Sequence, residues 1–237
     1  MVQLQPSTST QVIYPESDGQ PMADNTKQFR WIVIIKENLE LLFAAQTDVF
    51  VAGDLLWYPM QGNNTLCQAP DAMVVFGRPK GDRGSYKQWE EANIAPQVVF
   101  EILSPSNRLP EMAKKFQFYQ DYGVEEYYIY NPDTIDLNGW QRTDRVLSVI
   151  EDIAGWTSPR LQIRFELTPD SLEIYRPDGG RFLTYVELAA LREGDRQRAE
   201  QEKQRADEAI LQLEAERQRN QALADSLRQL GIDPNQL

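Results

Sequence analysis

Two hydrophobic periods alternate along this chain up to about residue 186. Residues 29–46, FRWIVIIKENLELLFAAQ, carry apolar side chains at helical spacing and predict an amphipathic helix. Residues 48–58, DVFVAGDLLWY, predict a strand, or a hairpin bent at Gly53. Residues 71–76 (DAMVVF) and 98–103 (VVFEIL) are short apolar runs of the kind that form buried strands. A helix is predicted over 110–122, then a strand over 126–130 (EYYIY) that stops at Asn131-Pro132. Short aromatic-rich segments between 137 and 176, such as 145–150 and 172–176, predict further strands. Helix, strands, helix, strand and a β-rich extension make a mixed α/β (α+β) pattern.

The flanks differ. Residues 1–28 are rich in Ser, Thr, Pro, Gln and Asp and predict an extended arm. Residues 78–95 form a long Gly-, Lys-, Arg- and Trp-containing insertion between two strands. Beyond Val186 the chain is charged and helix-favouring, with no proline until Pro234. A seven-residue frame aligns Ala199, Ala206, Leu213, Asn220 and Leu227, beside Lys203, Ile210, Arg217 and Ala224. Charged residues interrupt that stripe, so a coiled-coil segment and a solvated single helix fit equally. The expected organisation is an arm over 1–28, a folded domain over 29–187 and a helical tail over 188–237.

Composition narrows the chemistry. The formal net charge is −12, which argues against a protein that holds nucleic acid through its overall field. There is one cysteine and no histidine. Ser-His-Asp and Cys-His catalysis, histidine zinc sites and an internal disulfide are therefore excluded. With no basic-then-apolar leader and no long apolar run, a reduced, cytoplasmic setting away from membranes is expected.

Glu101 stands inside an apolar run, where a carboxylate is costly unless it is paired or holds a cation. Asp71 opens another such run, and Lys115 lies on the predicted helix downstream. Glu111, Lys115 and Tyr119 fall on one helix face; Lys114 is about 100° away on an ideal helix. Each residue alone has an ordinary explanation: a turn, a salt bridge, a solvated lysine. Together, two strand acids and a lysine are the minimum equipment for magnesium-dependent phosphodiester cleavage. Asp54 is a further acid, with a loop role equally open, and Glu37 and Glu40 read as the solvated face of the first helix. Ser104 and Ser106 read as caps of the turn or helix that follows. Arg78, Lys80, Arg83 and Lys87 form the best nucleic-acid-binding cluster, with Tyr86 and Trp89 for stacking, though Asp82, Glu90 and Glu91 dilute it.

Pro70-Asp71, followed by FEILSPSNRLPEMAKKFQFYQDYGVEEYYIYNP over 100–132, resembles the Uma-type family of restriction endonucleases, a branch of the PD-(D/E)xK nuclease superfamily. The family's acid after proline falls on Asp71. Its strand acid falls on Glu101, followed by the turn Leu103–Ser106. Its helix lysine falls on Lys115, its next aromatic on Tyr119, and its Gly-Val-x-Glu-Tyr run on Gly123, Val124, Glu126 and Tyr127. The resemblance covers about residues 25–187. Leu103 stands where the superfamily usually has lysine, and Lys115 from the following helix takes its place.

The resemblance implies a restriction-endonuclease-like core, a mixed sheet flanked by helices. It implies Mg2+ or Mn2+ held by Asp71, Glu101 and the Ile102 carbonyl, with Lys115 assisting the attacking water. The expected substrate is DNA, cut to a 5′-phosphate and a 3′-hydroxyl by a homo-oligomer, most simply a dimer. Two rival expectations are a catalytically inactive relative that binds partners through its helical tail, and a nucleic-acid-binding module without cleavage.

Overall fold

The computed structural model describes residues 12–229. They divide into two units, one ending at Leu183 and the other beginning at Thr184.

The first unit is built on a six-stranded mixed sheet. Its strands are β1 (Val49–Ala52), β3 (Ala72–Phe76), β5 (Val98–Ile102), β6 (Glu126–Asn131), β7 (Asp136–Thr143) and β8 (Val146–Val149), in that spatial order. Only β5 and β6 run parallel within this sheet, and helix α2 (Leu109–Asp121) makes the crossover that parallel strands require. The apolar runs of β3 and β5 are explained by cover on both faces. Val98, Phe100 and Ile102 pack with Ile32, Ile35 and Leu39 of helix α1 (Thr26–Leu42). Val99 packs on the other side with Phe118, Tyr119 and Tyr127. Alternation along the strand therefore directs Glu101 to the α2 face.

Helix α1 starts three residues before its sequence expectation. Asn25 caps it, accepting from the N–H groups of Lys27 and Gln28. Residues 48–58 are not a hairpin: β1 ends at Ala52, Asp54 takes a left-handed φ of 50°, and Trp57–Tyr58 (β2) leaves for a different sheet. There β2 pairs in parallel with Tyr86–Lys87 (β4), so the 78–95 insertion is folded. A small hairpin of β9 (Arg164–Leu167) and β10 (Leu172–Tyr175) adds Phe165, Leu172 and Ile174 to the α1 side of the core.

The second unit is helix α3 (Tyr185–Gln229), 45 residues with no buried side chain. At 1.5 Å per residue it is about 67 Å long. Thr184 and Glu187 cap its start reciprocally: Thr184 Oγ1 accepts from Glu187 N–H, and Glu187 Oε2 accepts from Thr184 N–H. Ion pairs Arg196–Glu193, Arg198–Asp195 and Arg228–Asp225 run along it. No helix among the described residues is long and apolar enough to cross a membrane.

Candidate active site

Strand register assembles the acids. β3 and β5 pair Ala72 with Phe100, and one further step brings Asp71 opposite Glu101. The Ile102 N–H donates to Asp71 Oδ2 at 2.6 Å, tying the two strand ends together. β1 and β3 pair Ala52 with Met73, and continuing that register brings Asp54 opposite Asp71. Asp54 N–H donates to Pro70 O at 3.0 Å. Three carboxylates thus stand at the ends of three adjacent strands. Asp tolerates the left-handed backbone that ends β1 there.

Helix α2 closes over this row. Lys115 Nζ lies 2.6 Å from Glu101 Oε2, and Tyr119 Oη donates to Glu101 Oε1 at 2.5 Å. Both oxygens of a carboxylate only 3% exposed are therefore engaged. The i, i+4 spacing of Lys115 and Tyr119 places both on the helix face turned to β5. Arg142 holds the end of that helix, donating to Val124 O, Gln120 O and Tyr119 O.

The electrostatics follow from burial. Burial, and then the charge of Glu101, pushes the Asp71 carboxyl well above its usual range; Lys115 and the Ile102 N–H offset only part. Burial alone would lower the Lys115 ammonium, but Glu101 and Asp71 outweigh it and leave its pKa raised. Lys115 is a fixed cation here. Burial, and then Glu101, raises the Tyr119 phenol well above its usual value, so it stays a neutral donor. Asp54 is raised by burial first and then by Asp18. The buried Tyr127 hydroxyl has no hydrogen-bond partner among the described residues.

A cleft of about 360 Å³ reaches Asp54, Asp71 and Lys115 of this group. Its walls include Asp54, Asp71, Glu111, Lys114 and Lys115; the arm contributes Asp18 and Asp24, and the start of α1 contributes Gln28. The arm is held at several points. The Tyr14 ring packs on Tyr58 and Trp89, and Tyr58 Oη donates to Pro15 O at 2.8 Å.

The structure brings Asp71, Glu101, Ile102 and Lys115 together, as well as Asp54. Two carboxylates and a backbone carbonyl are oxygen donors, the type that magnesium takes, usually with several waters kept. Burial and Glu101 disfavour the charged form of Asp71, and a cation beside it would relieve that. Among the described residues no three His, Cys, Asp or Glu side chains are grouped closely enough to hold a metal ion by themselves.

The remaining candidates lie elsewhere. Glu37 and Glu40 both pair with Lys36 and do not line the cleft. Arg78 and Arg83 both grip Glu91, Lys80 Nζ donates to Phe43 O, and Lys87 lies 3.6 Å from Glu90. None of these four cations lines the cleft. Tyr86 is fully buried and donates to Ile94 O, which removes it from stacking. Of the turn and the helix, Ser104 caps the turn, accepting from Ser106 N–H, whereas the N-cap of α2 is Arg108; both hydroxyls also donate to Asp24 of the arm. Asp18, Asp24 and Gln28 are among the site-lining residues that sequence reasoning missed. Gln28 carried a usable signal: it shares the buried face of α1 with Ile32, Ile35 and Leu39.

The family model for Uma2, described as "Putative restriction endonuclease", matches residues 16–206. The chain belongs to the Uma2 family. No curated protein matches it. A solved structure similar to this Uma2 chain is described as a putative nuclease belonging to DUF820 from Anabaena variabilis ATCC 29413. It is 16% identical, covers 60% of this chain and 77% of its own, and superposes with a TM-score of 0.46.

Proposed function

We propose that this Uma2 protein is a divalent-metal-dependent endonuclease that hydrolyses DNA phosphodiester bonds. The observation that carries the reading is the pairing of Asp71 with Glu101 across β3 and β5, with Lys115 on Glu101 at 2.6 Å. Asp71, Glu101 and the Ile102 carbonyl would hold Mg2+ or Mn2+. The ion, when bound, supplies Lewis-acid activation of the phosphate and of the attacking water. Lys115, charged in its buried position, orients that water and stabilises the charge developing on the phosphoryl oxygens. Tyr119 fixes the rotamer of Glu101, so that the carboxylate meets the ion already oriented.

Lys114 lines the cleft, so we assign it phosphate contact ahead of Arg78, Lys80, Arg83 and Lys87. The exposed Ile210, Leu211, Leu213 and Leu223 of α3 support a second copy as the partner of the tail, and two sites in a dimer suit double-strand cleavage. Sedimentation of the full chain tests that assembly, and a monomer at all concentrations refutes it.

The deciding experiment is cleavage of supercoiled plasmid and of single-stranded DNA with magnesium or manganese. Wild type should cut, and Glu101→Ala, Asp71→Ala and Lys115→Ala should not. Activity that survives in all three variants removes the assignment.

A further inference from the structure

Gln28 stands where the arm meets the end of β5. Its Nε2 donates to Ile102 O at 2.8 Å, and its Oε1 accepts from Asp24 N–H at 2.8 Å. The second bond fixes which way the amide points, because a backbone N–H can only donate. Next to it, Asp24 Oδ2 accepts from Ser104 Oγ at 2.6 Å and from the Ser106 hydroxyl. The arm is thereby clasped to the turn after β5. In that position it adds Asp18 and Asp24 to a cleft already carrying Asp54, Asp71 and Glu111, against Lys114 and Lys115 alone. A phosphodiester approaching the closed cleft meets an excess of negative charge.

The carbonyl's second lone pair can still accept once a cation sits on Ile102 O, but the amide's bond there is weakened. The two Nε2 protons would then lie beside a divalent positive charge. Rotating the amide offers Oε1 to the ion, but it aims the NH2 group at the Asp24 N–H, donor against donor. One of the contacts that hold the arm, the bond to its Asp24 N–H, is lost in that rotation.

We propose that Gln28 is a positioning residue that links cation binding at Asp71, Glu101 and Ile102 O to release of the acidic strap 18–24. Bound cation and closed strap disfavour one another. This rests on the metal reading above and adds an order of events to it: the ion that activates the phosphate also clears two carboxylates from its path. Substrate enters the metal-loaded protein more readily.

The test uses the full chain as wild type, Asp24→Ala, Gln28→Glu and Glu101→Ala, with magnesium titrated by calorimetry and the arm followed by hydrogen exchange. The Asp24 side chain is exposed, so its removal leaves the fold intact. Saturating magnesium should speed exchange over residues 18–24 of the wild type. Asp24→Ala should show fast exchange there without magnesium and bind the ion about two- to tenfold more tightly, the worth of one hydrogen bond. Gln28→Glu should also bind it more tightly, since an oxygen replaces the NH2 group beside Ile102 O. Suppose instead that magnesium binds wild type and not Glu101→Ala, while arm exchange and the Asp24→Ala affinity stay unchanged. The linkage is then overturned and the metal site stands. Absence of magnesium binding in wild type, Asp24→Ala and Gln28→Glu alike overturns the metal reading, and the linkage with it.

Discussion

Asp71→Asn should stabilise the metal-free protein while abolishing its chemistry. Asp71 and Glu101 face one another at neighbouring strand ends, and a single cation, Lys115, serves both. Two carboxylates about 5 Å apart repel by about 3 kcal/mol at an effective dielectric of about 20. Lys115 offsets part of this, leaving a net cost of about 1–3 kcal/mol. Asparagine keeps an oxygen for the Ile102 N–H and removes the charge. For a domain of this size each kcal/mol moves Tm by about 2–4 °C, so a rise of about 2–12 °C is expected. The sign with pH follows from the raised pKa of Asp71. Protonation favours the folded state, so wild-type stability is lost as pH rises through that raised value. The advantage of the variant is therefore full above that raised value and disappears in acid, where Asp71 is protonated in both states. Saturating magnesium should offset most or all of that advantage, because ligand at 100 times its Kd adds about 2.7 kcal/mol to the protein that binds it. Thermal unfolding of both proteins, with and without magnesium at the two pH values, measures all of this. A metal-free variant that melts below wild type at the higher pH refutes the reasoning.

Three further outcomes are expected. Glu101→Ala strips Lys115 and Tyr119 of their shared acceptor and should lower the cleavage rate at least about 100-fold, about 2.8 kcal/mol in the barrier; single-turnover kinetics on plasmid checks it. Tyr127→Phe removes a buried hydroxyl with no partner and should raise stability by about 1 kcal/mol in urea unfolding; a clear loss instead would reveal a bridging water. Arg142→Ala leaves Val124 O, Gln120 O and Arg145 O without their charged donor and should cost about 2–3 kcal/mol. Its magnesium affinity should stay that of wild type, and a large change would place Arg142 closer to the site than its bonds do.

How much of the site was legible depended on whether a residue broke a local pattern. Glu101 did: a charge inside VVFEIL must find a partner, and Lys115 and Tyr119 supply it. The strands at β3 and β5 were legible for the complementary reason, since runs covered on both faces are apolar throughout. Asp54 broke nothing. Its place in the row comes from register, which brings β1, β3 and β5 side by side across loops that no local pattern describes. The cations of 78–95 show the opposite failure. Counting charge suggested a surface for phosphate, whereas Glu91, read as dilution, takes both Arg78 and Arg83. Gln28 broke a pattern that sequence reading had cut short. With the helix started at Phe29, the buried face began at Ile32 and Gln28 fell in the arm; the Asn25 cap extends that face back by one turn. A polar side chain at a core position then demands a partner, as Glu101 did, and here the partners are Ile102 O and Asp24 N–H. The requirement for a partner is local and readable. Its identity is not, because Ile102 lies 74 residues away and only the folded sheet brings it near.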